Sequence, residues 1–481
     1  MSASLLGRFR ARFGHRCEKS GGRANRPPVA TRLESLEGRI LMATWKSPIS
    51  TNFSVASAWS TNRVPGTGEA ADITVPGANY TVTIDRAVSV ASMTISSASA
   101  TVNHVGQNFN LSAGTNRFVR LQSGTLKIGS LARFNIGTGQ TFRYDGGTLD
   151  GVVRVNNGTV EKSTFASSAT ARFLFDGRGT FNGGLNAGQI LTVDAPVTTP
   201  QSSVQLISAP IQNGRIELLN TRNSTLESQI KVDSTGTGTL LNGGSGLIFL
   251  NGPSVKRLLG KLNNNGGSVD FGPVTQRFAV TNGLSHVSGA LIMKWIDPVN
   301  NGSDVLDVNG SVSLSGASGG RLEMRQVASI PVGRVTTIIR NDGTDAVSGS
   351  FVNAPEGAVL VFGGQQFRIS YRGGDGNDVT LTRVNTASQF PDRTITNTHG
   401  NVVLLTGRVS DPDRGAIFRL SIDWGDGGPI QNITLRNADG RRLRIRHRYA
   451  DPGQYNVSLS WADQFGEGNS AVMPISVGAS A

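Results

Sequence analysis

Gly124-Thr125-Leu126, Gly147-Thr148-Leu149, Gly158-Thr159-Val160 and Gly179-Thr180-Phe181 repeat one turn-and-strand opening within the stretch from Gly114 to Phe181. Their starts are separated by 23, 11 and 21 residues. Such spacing suits a coil of about 20 to 25 residues built from short strands and tight turns. A unit of that size cannot bury its apolar face alone, so successive coils stack and each strand hydrogen-bonds to its copies about 4.8 Å above and below. The reading is an all-β chain dominated by an elongated β-solenoid (β-helix).

Composition agrees. The chain has 481 residues, room for two or three domains, with 61 glycines and only 37% apolar residues. Glycine enrichment beside many Thr, Ser, Val and Asn, with few helix-forming runs, predicts strands joined by tight turns. Asn and Gly gather at the expected turns, as in Asn156-Asn157-Gly158, Asn182-Gly183-Gly184 and Asn263-Asn264-Asn265-Gly266-Gly267; both residue types tolerate positive φ. From residue 44 to 384, about 15 coils would stack into a rod of about 70 Å.

The formal charge of +13 is unevenly placed: residues 1–46 hold ten Lys/Arg against three Glu, or +7, leaving +6 for residues 47–481. Nucleic-acid binders concentrate basic residues on a folded face with interleaved aromatics, so this distribution argues against a nucleic-acid partner. Cys17 is the only cysteine, which excludes an internal disulfide, and Gly14-His15-Arg16 before it does not suit a lipoprotein cysteine. No run approaches the roughly 18 apolar residues of a transmembrane helix.

Residues 1–43 read as a disordered basic segment. Within it, Arg32-Leu33-Glu34-Ser35-Leu36-Glu37-Gly38-Arg39-Ile40-Leu41-Met42-Ala43 resembles the LEPR-xLL targeting segment of large exported bacterial surface proteins, with Gly38 where that pattern has Pro. The resemblance implies an export-machinery partner and a secreted or cell-surface location. Residues 44–384 form the solenoid, opened by Trp45 and Trp59. Large aromatics at a first coil suit a cap over exposed strand edges better than a sugar-stacking platform. The run from Ser303-Asp304-Val305 through Thr337-Ile338-Ile339 to Asp378-Val379-Thr380-Leu381-Thr382 is similar to the closing module of autotransporter-type β-helix proteins. Inside it, Gly373-Gly374-Asp375-Gly376-Asn377-Asp378 resembles a single calcium-binding RTX nonapeptide. Those motifs work in tandem and Thr380 stands where an apolar residue belongs, so a Gly-Asp turn is the better account.

Residues 385–394 read as a polar linker and 395–481 as a second domain. Ile422-Asp423-Trp424-Gly425-Asp426-Gly427, His447-Arg448-Tyr449 and Gly453-Gln454-Tyr455-Asn456-Val457 occur there in order. This set is similar to the PKD domain, a small immunoglobulin-like β-sandwich of bacterial extracellular proteins. The resemblance implies that Trp424 and Tyr455 lie in its core. Asp411, Asp413, Asp423, Asp426 and Asp463 are candidate ligands for calcium, which favours clustered carboxylate oxygens, though carboxylates are also ordinary turn residues. Strict alternation from Arg442 to Tyr449 puts Arg442, Arg444, Arg446 and Arg448 on one strand face. That strip either guards a sheet edge or binds an anionic glycan, since guanidinium forks pair with carboxylate or sulfate.

Catalysis finds little support. The five histidines, at 15, 104, 286, 399 and 447, are scattered, and neither a Gly-x-Ser-x-Gly elbow nor a nucleophilic Cys motif is present. The expectation is therefore a non-enzymatic exported surface or matrix protein, a stalk presenting a PKD-like module to extracellular polysaccharide or surface proteins, with no certain cofactor beyond candidate calcium. The rival is a polysaccharide-degrading β-helix enzyme using Asp145, Asp150, Asp176 or Asp270 with an accessory PKD domain.

Overall fold

The computed structural model describes residues 41–481 except 115, 195–200, 208–209, 212, 222–225, 298–301, 315–318, 414 and 479–481. Cys17 and residues 32–40 of the targeting segment lie outside the described residues. Among the described residues, all regular elements are β-strands apart from a 3-10 turn at Ala56–Ala58.

One long ladder begins earlier than the sequence suggests. Leu41–Thr44, whose first three residues end the segment read as disordered, pairs in parallel with Glu69–Ile73, and Ala43 is buried. The strand is only four residues long and buries one of them, too little to stand out beside the basic tail. The ladder continues through Ser92–Ile95, Arg117–Leu121, Gln140–Tyr144, Gly158–Lys162 and Arg178–Asn182. Parallel pairing then carries it through Gln201–Leu206, Glu227–Val232, Lys256–Leu259, Arg277–Val280 and Val305–Val308 to Val335–Asn341.

Between these strands the chain lays down others that form further parallel ladders. Tyr80–Ile84, Ala100–His104, Thr125–Ile128 and Thr148–Val155 make one such run. The Gly-Thr repeats divide accordingly. Thr125 lies opposite Thr148 in this second ladder, whereas Thr159 lies opposite Thr180 in the first. The 23- and 21-residue spacings are thus steps from one strand to its parallel neighbour, and the 11-residue spacing is the passage between ladders.

Register stacks like on like. Ile73, Ile95, Leu121 and Tyr144 form one inward column, and a continuous apolar core runs from Ala43 to Leu381. Trp45 and Trp59 are fully buried at its start, edge to face with centroids 5.0 Å apart, and Trp59 Nε1 donates to the Phe53 carbonyl at 2.9 Å. Burial leaves neither ring free to stack on a sugar.

Three antiparallel strands, Val359–Phe362, Gln365–Gly373 and Asp378–Val384, end the sheet. The RTX-like run is the hairpin turn between the last two: Gly373 lies opposite Asp378, Gly374 and Gly376 have positive φ, and Asp378 Oδ1 accepts the Asn341 N–H. Beyond it, a three-stranded sheet (Thr394–His399, Val402–Arg408, Arg442–Arg448) and a four-stranded sheet (Gln431–Arg436, Ile417–Asp423, Gly453–Ala462, Gly468–Val477) enclose a second core. The stretch read as a linker is tied into that core. Phe390 is buried in it, and Trp461 Nε1 donates to the Ser388 carbonyl at 3.1 Å.

Candidate functional site

Among the described residues, Arg442–Arg448 is an edge strand, hydrogen-bonded as a strand to Val402–Arg408 alone. Leu443 and Ile445 point into the sandwich and are buried, so period-two geometry turns Arg442, Arg444, Arg446 and Arg448 to solvent, where all four are exposed. Residues directly opposed across an antiparallel pair share a face. Arg442 faces Arg408, Arg444 faces Thr406, Arg446 faces Leu404 and Arg448 faces Val402. A shallow groove of about 420 Å³ runs over this corner, lined by Asp392, Thr406, Gly407, Arg408, Arg442, Leu443 and Arg444. Among the described residues, no carboxylate comes within 4.0 Å of these five guanidinium groups. Arg408 was not singled out from the sequence, because its partnership with Arg442 depends on register.

Under the strip lies a stack of rings. His447 is parallel to Trp424 with centroids 4.4 Å apart, and its Nε2 donates to Asp426 Oδ2 at 2.8 Å. Tyr449 meets His447 edge to face, stacks on Tyr455 at 4.0 Å, and its Oη donates to the Trp424 carbonyl. Trp424 is buried as the motif implies; Tyr455 is only half-buried, its hydroxyl reaching the Asp451 carbonyl at 2.8 Å. This stack fixes the backbone under the arginines.

The five candidate calcium aspartates do not converge. Asp423 caps its own turn by accepting the Gly425 N–H, and Asp426 is held by His447 and the Gly428 N–H. Asp411, Asp413 and Asp463 are buried elsewhere, where the ladder meets the sandwich. There Asp413 forms a fully buried ion pair with Arg383 of the closing strand and accepts the Thr386 N–H at 2.9 Å. Asp411 accepts from Ser388 Oγ and the Asp413 N–H, and Asp463 from Asn385 Nδ2, the Phe465 N–H and the Glu467 N–H. Burial, then the charges of Asp463 and Asp439, push Asp411 up against the pull of Ser388 and Arg383. A guanidinium and amide donors already meet these oxygens, so the residues do not fit calcium. Among the described residues no group of three or more His, Cys, Asp or Glu is arranged to hold a metal.

The carboxylates considered for catalysis are also dispersed. Asp145 pairs with Arg120 at 2.6 Å, Asp176 with Arg154 at 4.0 Å and Asp270 with Arg325 at 2.7 Å. Asp150 lines a separate groove with Gly151, Arg154 and Arg172.

Residues 386–477 match the family model of the PKD domain. The C-terminal region is a PKD domain. Among solved structures, the PKD domain of an M14-like peptidase from Thermoplasmatales archaeon SCGC AB-540-F20 is similar at 21% identity, covering 20% of this chain and 99% of that one with a TM-score of 0.18. No curated protein matches the chain. Within the described residues no helix is long and apolar enough to cross a membrane.

Proposed function

We propose that this chain is an exported, non-enzymatic surface or matrix protein in which the stacked parallel ladders form a β-solenoid stalk and the PKD domain offers a basic face to extracellular acidic polysaccharide. The observation that carries the reading is the Arg408, Arg442, Arg444, Arg446 and Arg448 face, exposed and without a carboxylate within 4.0 Å among the described residues. Guanidinium forks bind carboxylate or sulfate in two-point fashion, and an exposed set along one strand can meet several charges of one polyanionic chain. Like charges about 7 Å apart on one strand cost stability, so a polyanion that neutralises them gains more than it would at a strip already paired. The stalk reading rests on the strand-to-strand steps of 23 and 21 residues between the Gly-Thr strands, within the range of solenoid repeats, and on the continuous core through both ladders.

The testing experiment is twofold. Retention of the full chain on immobilised polyuronate and on a matching neutral glucan reads out the binding face, with retention expected on the first alone. Proteolysis of intact source cells, with mass spectrometry of the released peptides, reads out export; peptides from the ladders and from residues 386–477 are expected in the supernatant. Equal retention on both matrices, or full protection of the protein in intact cells, overturns the reading.

A further inference from the structure

The inward column of the first ladder that starts at Ile73 meets a charge partway along. Ile73, Ile95, Leu121 and Tyr144 are followed in register by Lys162, at the end of Gly158–Lys162. Lys162 faces inward and is only 7% exposed. Its Nζ donates to the Ser163 carbonyl at 3.2 Å, its one hydrogen bond among the described residues. An ammonium has three donors, so two are left over at a buried position. Burial without an opposing carboxylate pushes this lysine down to about 8.

The next strand of the ladder closes over it through a glycine. Asn182 pairs opposite Glu161, which places Gly183 over Lys162. A Cβ on Gly183 would sit 2.4 Å from the Lys162 carbonyl oxygen and 3.0 Å from its Cβ, and Gly183 itself has a φ of 133°. Only glycine can lie this close over Lys162, and beside the pair is a groove of about 910 Å³, lined by Lys162, Ser163, Thr164, Asn182 and Asn186 among others, within the size range of ligand sites. The side-chain amides of Asn182 and Asn186 have no partner among the described residues. Ser163 Oγ donates to the Asp145 carbonyl and accepts the Phe165 N–H, shaping a loop on which Phe165 stands 86% exposed. An apolar column broken by a charge, covered by Gly183 and flanked by amides without a partner among the described residues, with an exposed ring on the adjoining loop between Thr164 and Ser167, departs from what folding alone selects.

We propose that this groove is a binding subsite for the carboxylate of an acidic sugar, with the Lys162 ammonium as its counter-charge, the Asn182 and Asn186 amides for the hydroxyls and Phe165 as an apolar face beside it. The site lies on the ladder and is independent of the arginine face of the PKD domain. Partly buried ammonium–carboxylate hydrogen bonds are stronger than neutral ones, and amides with a flanking ring suit a sugar better than a bare carboxylate.

The test is calorimetric titration of the full chain carrying R408Q, R442Q, R444Q, R446Q and R448Q, which removes the other basic face. The probes are a short oligogalacturonate, a neutral gluco-oligosaccharide of the same length, and acetate. Binding of the oligogalacturonate alone is expected. Adding Lys162→Met should weaken it by about tenfold or more, the worth of a charged hydrogen bond. Met keeps the stem and removes an unpaired buried charge, so the variant should melt no lower than its parent, and a loss of binding is then not a loss of fold. Phe165→Ala, on an exposed loop, should weaken binding as well. Absence of oligogalacturonate binding, or undiminished binding by Lys162→Met, overturns the proposal; acetate binding as tightly as the oligosaccharide overturns its sugar component.

Discussion

Lys294 and Asp304 form an ion pair whose side chains are both almost wholly buried, with Nζ 2.9 Å from Oδ2 and also donating to the Phe271 carbonyl. Asp304 also accepts the Gln276 and Lys294 N–H groups, yet burial dominates and lifts it to about 6. Because the folded value stands above the ordinary 3.8, the folded protein holds a proton between about pH 4 and 6 that the unfolded chain has shed. Asp304 by itself therefore favours folding at low pH, and that contribution fades as pH rises through 6. At neutral pH Lys294 offsets the cost of the buried charge. Lys294→Met should cost about 3–5 kcal/mol at pH 7.5 and distinctly less at pH 5, where Asp304 takes up a proton. Urea midpoints at the two pH values measure this; an equal loss at both would mean the carboxylate stays charged.

At the level of elements, the junction between ladder and sandwich is built on Arg383 and Asp413, both fully buried. Arg383→Met leaves Asp413 without its counter-charge, which should cost about 3–5 kcal/mol and open residues 385–394 to protease. Adding Asp413→Leu should restore much of the resistance, since an apolar pair avoids the desolvation of both ions. Limited proteolysis of the single and double variants reads this directly; a double variant cut faster than the single would place the effect elsewhere. The same contacts explain a difference from the sequence. Residues 385–394 look like a polar linker because Ser388 and Phe390 are separated by polar neighbours, and their burial depends on Trp461 and Ser410, distant in the chain. Likewise Asp411, Asp413 and Asp463 were legible as turn carboxylates, but the guanidinium that meets Asp413 comes from a different module. Chelator or added calcium should accordingly leave the melting temperature of the full chain unmoved. A rise on adding calcium would require these carboxylates to exchange N–H partners for the ion.

Across the whole molecule, what could be read from the sequence was whatever repeats or alternates locally. The Gly-Thr openings gave the strand step, the Trp-Gly-Asp-Gly and His-x-Tyr runs marked the PKD domain, and the Arg442–Arg448 alternation gave one exposed face. Features made by register were not legible: the division of the repeats between two ladders, Arg408 beside Arg442, and the Gly183 roof over Lys162. Charge sums hide the same information, because residues 47–481 carry a modest +6 while five guanidinium groups share one small face. Substituting Arg442, Arg444, Arg446 and Arg448 by Gln takes +6 to +2, and so does substituting the exposed, dispersed Arg133, Arg172, Arg178 and Arg321. If retention on polyuronate follows the arrangement of charge, the first variant should elute at much lower salt and the second near the unsubstituted protein. Exposed charges more than about 10 Å apart are largely screened at 0.1 M salt, so dispersed arginines cannot act together on one polyanion segment, whereas neighbours on a strand can. Equal loss in both variants would make net charge the cause and reduce the strip to a guard on the sheet edge. The edge role has its own signature, since unpaired strand groups invite self-association: the first variant would then form oligomers in size-exclusion chromatography, and a monomer that has lost polyuronate retention assigns the strip to binding.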